Sequence, residues 1–269
     1  TLEEREILFR GGSGADVSAP VAEILRAVQE RGDAALREYT LRFDGAAPDA
    51  LAVTAEEVDQ AAAQVEPAFL AVLEEAAEHI RAYHARQKRE SFVMTEREGV
   101  VLGQRIIPLA RVGIYVPGGT AAYPSTVLMN AIPARIAGVG EIIMVTPPGR
   151  DGAVNPHILA AAKIAGVTRI YKVGGAQAVA ALAYGTGTIP QVDKIVGPGN
   201  AYVAEAKRQV FGRVNIDMIA GPSEVLVLAD GRSNPAWVAA DLLSQAEHDR
   251  MAAAVLVTDS RPLAEAVAH

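Results

Sequence analysis

From about Val100 onward, short β-branched runs alternate with alanine-rich segments of helical character. A strand, a helix and a second strand in succession form a right-handed βαβ unit, in which the two strands are parallel. The predicted strands are Val112–Val116, Ile142–Thr146, Arg169–Val173, Lys194–Val196, Val225–Leu228 and Ala254–Thr258. The helices predicted among them cover residues 123–138, 156–165, 176–184, 201–210 and 235–247. The pattern therefore predicts an α/β fold with parallel sheets.

A helical region is predicted before these units, over residues 18–87, because its apolar residues recur at helical spacing. Asp33 is expected to cap the second of these helices. Thr54 and Glu57 have the spacing of a capping box for the third. Shifts in composition near residues 100–110 and 220–224 mark the candidate domain boundaries.

Composition excludes several classes of protein. The chain has 25 Lys and Arg against 32 Asp and Glu, a net charge of −7, and no cluster of basic residues to neutralise phosphates, so we expect no nucleic-acid partner. The absence of cysteine excludes disulfides, thiolate zinc sites and a cysteine nucleophile within these 269 residues. The sequence contains no uncharged run of about 18 apolar residues, so we expect no membrane-spanning helix. Thr1–Arg5 does not resemble a signal peptide, and we expect a cytoplasmic protein.

Two glycine-rich turns each follow a predicted strand and open a predicted helix. They are Gly174–Gln177 (Gly-Gly-Ala-Gln) and Gly197–Asn200 (Gly-Pro-Gly-Asn). Backbone N–H groups and the helix dipole at such a turn suit a phosphate or a carboxylate. The alternative is that a tight strand-to-helix turn simply requires glycine. A G-x-G-x-x-G sequence is absent, so a dinucleotide would not bind through the standard fingerprint.

A third segment, Gly113–Gly119, is a strand that runs into a Pro-Gly-Gly loop. Parallel strands of open α/β folds present their carboxyl ends to ligands. Tyr115 can therefore stack on an adenine or form a hydrogen bond to a ribose. The alternative is a core residue, which is more usual for a single aromatic side chain on a strand.

Polar residues near the end of the chain form two further candidate sites. Ser223 and Glu224 follow a Gly-Pro turn and place a hydroxyl and a carboxylate at a loop edge, or else form an ordinary turn. Asp241, Gln245 and His248 form one stripe of a predicted helix. Gln245 and His248 can share a metal ion, for which imidazole suits zinc, but two ligands do not make a site. The alternative is a helix end at which His248 interacts favourably with the dipole.

These segments together resemble one known family. The residues from Ile216 to Glu224 and from Asp241 to His248 are similar to the signature of the histidinol dehydrogenases. The motifs that begin at Gly113, Val173 and Lys194 resemble the same family in the same order, so the resemblance covers nearly the whole chain.

The resemblance implies two Rossmann-like domains of the aldehyde-dehydrogenase-like superfamily, preceded by helices. Residues 1–110 would be the helical N-terminal part of the first domain, and residues 111–222 the domain that contacts NAD. Residues 223–269 would return to the first domain. The implied reaction is the NAD-dependent oxidation of L-histidinol to L-histidine through the aldehyde, the end of histidine biosynthesis, by a homodimer with one zinc ion per subunit.

The resemblance also assigns residues. Gln245 and His248 would be zinc ligands and would touch the substrate, and Ser223 would contact the substrate. Tyr115, Gln177 and Asn200 would contact NAD.

Members of the family are longer than this chain. Their catalytic bases, an adjacent Glu-His pair, and two further zinc ligands would lie beyond His269, so we expect no catalytic base within these residues and no activity from them alone. Glu247 and His248 are a different pair. Two alternatives stay open: a related dehydrogenase of another small polar alcohol, or a non-catalytic module for nucleotide binding or dimerisation.

Overall fold

A five-stranded parallel sheet lies at the centre of the first of two units into which the chain divides, residues 1–219 and 220–269. The structure is a computed structural model, and it describes residues 16–118, 122–219, 224–247 and 252–268. In chain order the first unit contains α1 (Ser18–Arg31), α2 (Asp33–Asp44), α3 (Ala55–Gln64), α4 (Pro67–Ala85), β1 (Phe92–Arg97), β2 (Val100–Gln104), β3 (Arg111–Tyr115), α5 (Pro124–Ile136), β4 (Glu141–Thr146), α6 (Pro156–Ala165), β5 (Arg169–Lys172), α7 (Gly175–Tyr184), β6 (Lys194–Val196), α8 (Ala201–Val210) and β7 (Asn215–Ile216). The predicted α/β fold with parallel strands is confirmed.

The order of the strands across the sheet is β5-β4-β3-β6-β7. All neighbours are parallel, and β3 pairs with β4 on one side and with β6 on the other. The chain therefore winds outward from β3 in one direction and then returns to wind in the other. This reversal creates a switch point between β3 and β6, beside which open α/β sheets bind ligands.

Helices cover both faces of the sheet, so its strands are buried on both sides. Val112 and Ile114 of β3 pack in one core with α3 to α6. Tyr115 of β3 packs in the opposite core with α1, α2, α7 and α8. The alternation of β3 thus directs successive side chains to opposite faces.

The N-terminal helices begin partly as predicted. Thr54 and Glu57 form the capping box of α3. The expectation that Asp33 caps α2 is wrong: the N-cap is Gly32, and Asp33 is the first helical residue. Its Oδ2 accepts a 2.7 Å hydrogen bond from the hydroxyl of Thr188, so this carboxylate joins α2 to the loop after α7.

The hairpin of β1 and β2 was not predicted. Its strands are antiparallel, and every residue of β1 is exposed. Because neither strand buries one face, the sequence lacks the alternation that identifies a strand. Gly99, with φ +74°, lies in the connecting turn.

An ion pair fixes the chain around β6 and β7. The ammonium group of Lys207 in α8 is 2% exposed and pairs with Asp217, which follows β7. It also donates to the carbonyl of Gly197 at 3.0 Å, and the N–H of Gly197 donates to Asp217 at 2.8 Å. The pair therefore holds the Gly-Pro-Gly-Asn turn against the end of the sheet.

The second unit is a single βαβα arrangement. It contains β8 (Glu224–Leu228), α9 (Pro235–Ala246), β9 (Ala253–Val257) and α10 (Arg261–Ala268), and β8 is parallel to β9. The side chain of Asn234 caps α9 through the N–H of Ala236, as the Asn-Pro sequence predicts. Across the described residues of both units, no helix is long and apolar enough to cross a bilayer.

Removing the buried cation should destabilise the fold far more than removing an exposed one. Lys207→Met leaves Asp217 and the Gly197 carbonyl without their partner, and we expect the free energy of unfolding to fall by about 3 kcal/mol. Lys163→Met is the matched control, because Lys163 and Asp59 form an ion pair whose side chains are 54% and 66% exposed. Its loss should stay below about 1 kcal/mol. Equal losses of unfolding free energy in the two variants, measured by chemical denaturation, would contradict the structural role assigned to Lys207.

Candidate functional site

A cleft of about 1270 Å³ opens at the carboxyl ends of β3, β4 and β5. Its walls include the first turns of α7 and α8 as well as parts of α2 and α3. This position beside the switch point is the usual ligand site of an open α/β sheet. The volume is sufficient for a ligand larger than a typical drug-sized molecule.

The three residues predicted to contact NAD line this one cleft. Tyr115 ends β3, Gln177 lies in the first turn of α7, and Asn200 precedes α8. Parallel pairing brings the three segments to the same edge of the sheet, although they are far apart in sequence. Whether the three contact NAD stays a prediction.

Tyr115 is a core residue whose hydroxyl reaches the cleft. The side chain is 4% exposed, and its ring packs among α1, α2 and α7. The hydroxyl accepts a 3.0 Å hydrogen bond from the N–H of Gly175. Burial raises the pKa of Tyr115 to about 12, so the phenol stays neutral at physiological pH. Its observed role is therefore to hold the start of α7 against the sheet.

Gln177 is a buried amide without a hydrogen-bond partner. The residue is 1% exposed, and neither its Oε1 nor its Nε2 is bonded to a described residue. Gly175 has φ +66°, and a Cβ there would lie 2.6 Å from that Oε1. A buried amide with no partner is unfavourable by about 1–3 kcal/mol, so this side chain is suited to a ligand that supplies the missing bonds.

The two glycine-rich turns differ in what they offer an anion. The Oδ1 of Asn200 accepts from the N–H groups of Tyr202 and Val203, both at 3.1 Å, so the side chain already occupies the first turn of α8. The N-cap of α7 is Gly174, which has no side chain to cap the helix. Of the two predicted anion sites, the start of α7 therefore has N–H groups available, those of Ala176 and Gln177, since that of Gly175 donates to Tyr115.

Asp44, the last residue of α2, is a cleft residue that sequence reasoning missed. The Oδ2 of its half-buried carboxylate has no partner among the described residues. Burial raises the pKa of Asp44 to about 6. A signal was present in the sequence, because a carboxylate before a helix-ending glycine is opposed by the helix dipole.

The predicted substrate and zinc residues lie at the far end of the sequence. Ser223 and His248 are outside the described residues. Gln245 lies in α9, is half-buried, and has an Nε2 atom with no partner among the described residues. No group of three or more His, Cys, Asp or Glu side chains suited to a metal occurs among the residues described. The pairing of Gln245 with His248 therefore stays a prediction.

The turn before α8 should tolerate no side chain at Gly197. This residue has φ +111°, and a Cβ there would collide with the carbonyl oxygen of Tyr115. Gly212→Ala is the matched control, since Gly212 has φ +96° and open space around it. We expect the control to lose about 1 kcal/mol and Gly197→Ala to lose at least about 2 kcal/mol more, measured by urea unfolding. Similar losses would mean that only backbone strain matters.

Comparison with known proteins identifies the family. The family model for histidinol dehydrogenase matches residues 10–269. The histidinol dehydrogenase of Geobacillus kaustophilus is 61% identical over 248 residues, which are 92% of this chain and 58% of the relative. That of Syntrophotalea carbinolica is 62% identical over 244 residues, 90% of this chain and 56% of the relative.

A solved structure agrees with these sequence relatives. The crystal structure of histidinol dehydrogenase from Elizabethkingia anophelis has a TM-score of 0.89 and 42% sequence identity, and the match covers 94% of this chain and 59% of that one. The chain thus spans less than two thirds of the length of these relatives. The match extends through nearly all of the present residues, and the chain belongs to the histidinol dehydrogenase family.

Proposed function

We propose that the protein to which this chain belongs oxidises L-histidinol to L-histidine with NAD as oxidant, at the end of histidine biosynthesis. The observation that carries the proposal is the cleft at the switch point. Its lining includes Tyr115, Gln177 and Asn200, the residues that the family resemblance assigns to NAD. Membership of the family supports the reaction, and the buried unpartnered amide supports a bound ligand.

NAD would lie along the carboxyl edge of the sheet. Its diphosphate would accept from the N–H groups of Ala176 and Gln177 in the first turn of α7, beside the Gly175 N–H that donates to Tyr115. The amide of Gln177 would donate to and accept from the nucleotide. Asn200 would keep its role as the cap of α8 and meet the nucleotide with the remainder of its amide. Tyr115 would act indirectly, because its hydroxyl holds Gly175 in place.

The proposed reaction has two hydride transfers. The alcohol carbon loses a hydride to one NAD and its hydroxyl loses a proton, which gives the aldehyde. Water adds to the aldehyde, and the hydrate loses a hydride to a second NAD and a hydroxyl proton to a base, which gives the carboxylic acid. These 269 residues contain no cysteine, so none of them supplies a thiolate for a thioester. The base that activates water would come from residues outside this sequence.

The substrate would be held by Ser223, Gln245 and His248. Imidazole suits zinc, and the amide oxygen of Gln245 would be a harder and weaker second ligand. Zinc, when bound, supplies a Lewis acid that orients the amino alcohol and favours loss of its hydroxyl proton.

We also propose the organisation that the family implies. The domains would be Rossmann-like folds of the aldehyde-dehydrogenase-like superfamily, with residues 1–110 and 223–269 in one and residues 111–222 in the other. The protein would be a cytoplasmic homodimer with no nucleic-acid or membrane partner. Size-exclusion chromatography with light scattering tests the dimer directly.

Turnover by the full-length protein tests the reaction. We expect two molecules of NADH per molecule of L-histidinol consumed, because the alcohol loses four electrons in all. The 269-residue chain by itself should give none, since it would lack the bases. Treatment with a chelator should abolish the activity and added zinc should restore it. Faster turnover of another small polar alcohol would favour a related dehydrogenase with a different substrate. NAD binding without oxidation of any alcohol would favour a non-catalytic nucleotide-binding module.

Gln177→Met separates binding from stability. Methionine has nearly the same size as glutamine but no amide, so the variant removes two buried groups that have no partner in the free protein. We expect an unchanged or higher melting temperature without NAD, and a KM for NAD raised about tenfold.

Gln209→Met is the matched control. The Nε2 of Gln209 donates to the carbonyl of Ser18 and to the carboxylate of Glu205, so its amide is satisfied within the protein. This variant should lose about 1–2 kcal/mol of stability and keep the wild-type KM for NAD. A Gln177→Met variant that loses stability and keeps its KM would contradict the role proposed for Gln177.

A further inference from the structure

We propose that Asp44 is the residue that selects NAD over NADP, by accepting hydrogen bonds from the hydroxyl groups of the adenosine ribose. The inference rests on the proposed NAD site and deepens it. It assigns a chemical task to a cleft residue to which neither the sequence motifs nor the resemblance gave a role.

The carboxylate of Asp44 borders the cleft and lacks a hydrogen-bond partner among the described residues. It lies on the cleft wall at the end of α2, and its Oδ2 is buried without a hydrogen bond to any described residue. Burial alone accounts for its raised pKa, and no described cation forms an ion pair with it. A carboxylate in this condition destabilises the free protein, which indicates that a ligand supplies its donors.

The chemistry of a carboxylate defines which part of a nucleotide it can meet. An ionised carboxylate only accepts hydrogen bonds, so it suits hydroxyl groups and repels phosphate. The uncapped start of α7 in the same cleft has the opposite preference, since its N–H groups donate. Together they match the two polar parts of a nucleotide: a diphosphate at α7 and a ribose diol at Asp44. A carboxylate that binds the ribose in this way is the usual device for recognising NAD in dinucleotide-binding folds.

The selectivity proposed for Asp44 specifies the ribose that binds there. NAD and NADP differ only at the 2′ position of the adenosine ribose. Selection between them by Asp44 therefore requires that the ribose bound there is that of the adenosine.

The test measures the KM of modified nucleotides with the full-length protein. The first comparison therefore needs no mutation. We expect NAD that lacks the 2′-hydroxyl of the adenosine ribose to have a KM about tenfold above that of NAD. NADP should be poorer still, because its 2′-phosphate meets the carboxylate. In Asp44→Asn, and in Asp44→Ser as a second variant, removal of the 2′-hydroxyl from NAD should no longer raise the KM appreciably. The preference for NAD over NADP in kcat/KM should fall at least tenfold.

Stability supplies an independent readout. Without nucleotide, Asp44→Asn should raise the melting temperature at neutral pH, because it removes a buried charge that has no partner. Asp33→Asn is the matched control on the same helix: its carboxylate accepts from Thr188, so this variant should lower the melting temperature. It should also leave the discrimination among the three nucleotides unchanged.

The outcomes distinguish failure of the proposed function from failure of the role proposed for Asp44. If neither NAD nor its analogues bind, the proposed function fails. If NAD binds and the wild type treats all three nucleotides alike, the proposed function stands and the role of Asp44 is overturned. The same conclusion follows if discrimination survives in both Asp44 variants. Loss of stability in Asp44→Asn with unchanged discrimination would show that the carboxylate is structural.

Discussion

The pairing of β3 with both β4 and β6 determines most of this architecture. Both β4 and β6 come after β3 in the chain, but they lie on opposite sides of it in the sheet. The connections to them therefore diverge at the carboxyl end of β3. The divergence leaves a space that helices cannot fill, and the cleft opens there. Every cleft residue discussed above either ends one of these strands or begins or ends a helix packed around them.

The cleft and the turn beside it contain groups that have partners and groups that do not. The Oδ1 of Asn200 caps α8, and Lys207 pairs with Asp217 beside the cleft and holds the Gly197 turn. Gln177 and Asp44 leave buried polar atoms without partners among the described residues. A rigid frame around unsatisfied groups is what a binding site requires, because the frame prevents those groups from relaxing toward each other. In the proposed function, these groups reduce the stability of the free protein and gain their partners when the nucleotide binds.

The predicted ranges of β3 to β6, β8, β9 and α5 to α9 agree with the observed ranges within about two residues. Their β-branched runs, helical spacing and helix caps are patterns among neighbouring residues. The exposed β1–β2 hairpin escaped prediction because burial imposes no pattern on it. Asp33 was misassigned as a cap because a carboxylate before a helix reads the same whether it bonds to the helix or to a distant hydroxyl.

Local sequence alone determined the α/β class, the positions of the glycine-rich turns and, through motif resemblance, the family. These properties depend on neighbouring residues, whose spacing reflects backbone geometry and close packing. Only the tertiary structure brought Tyr115, Gln177 and Asn200 to one cleft and showed that α8 is capped and α7 is not. Only the tertiary structure revealed Asp44, because whether a carboxylate has a partner depends on groups that are distant in sequence and meet only after folding.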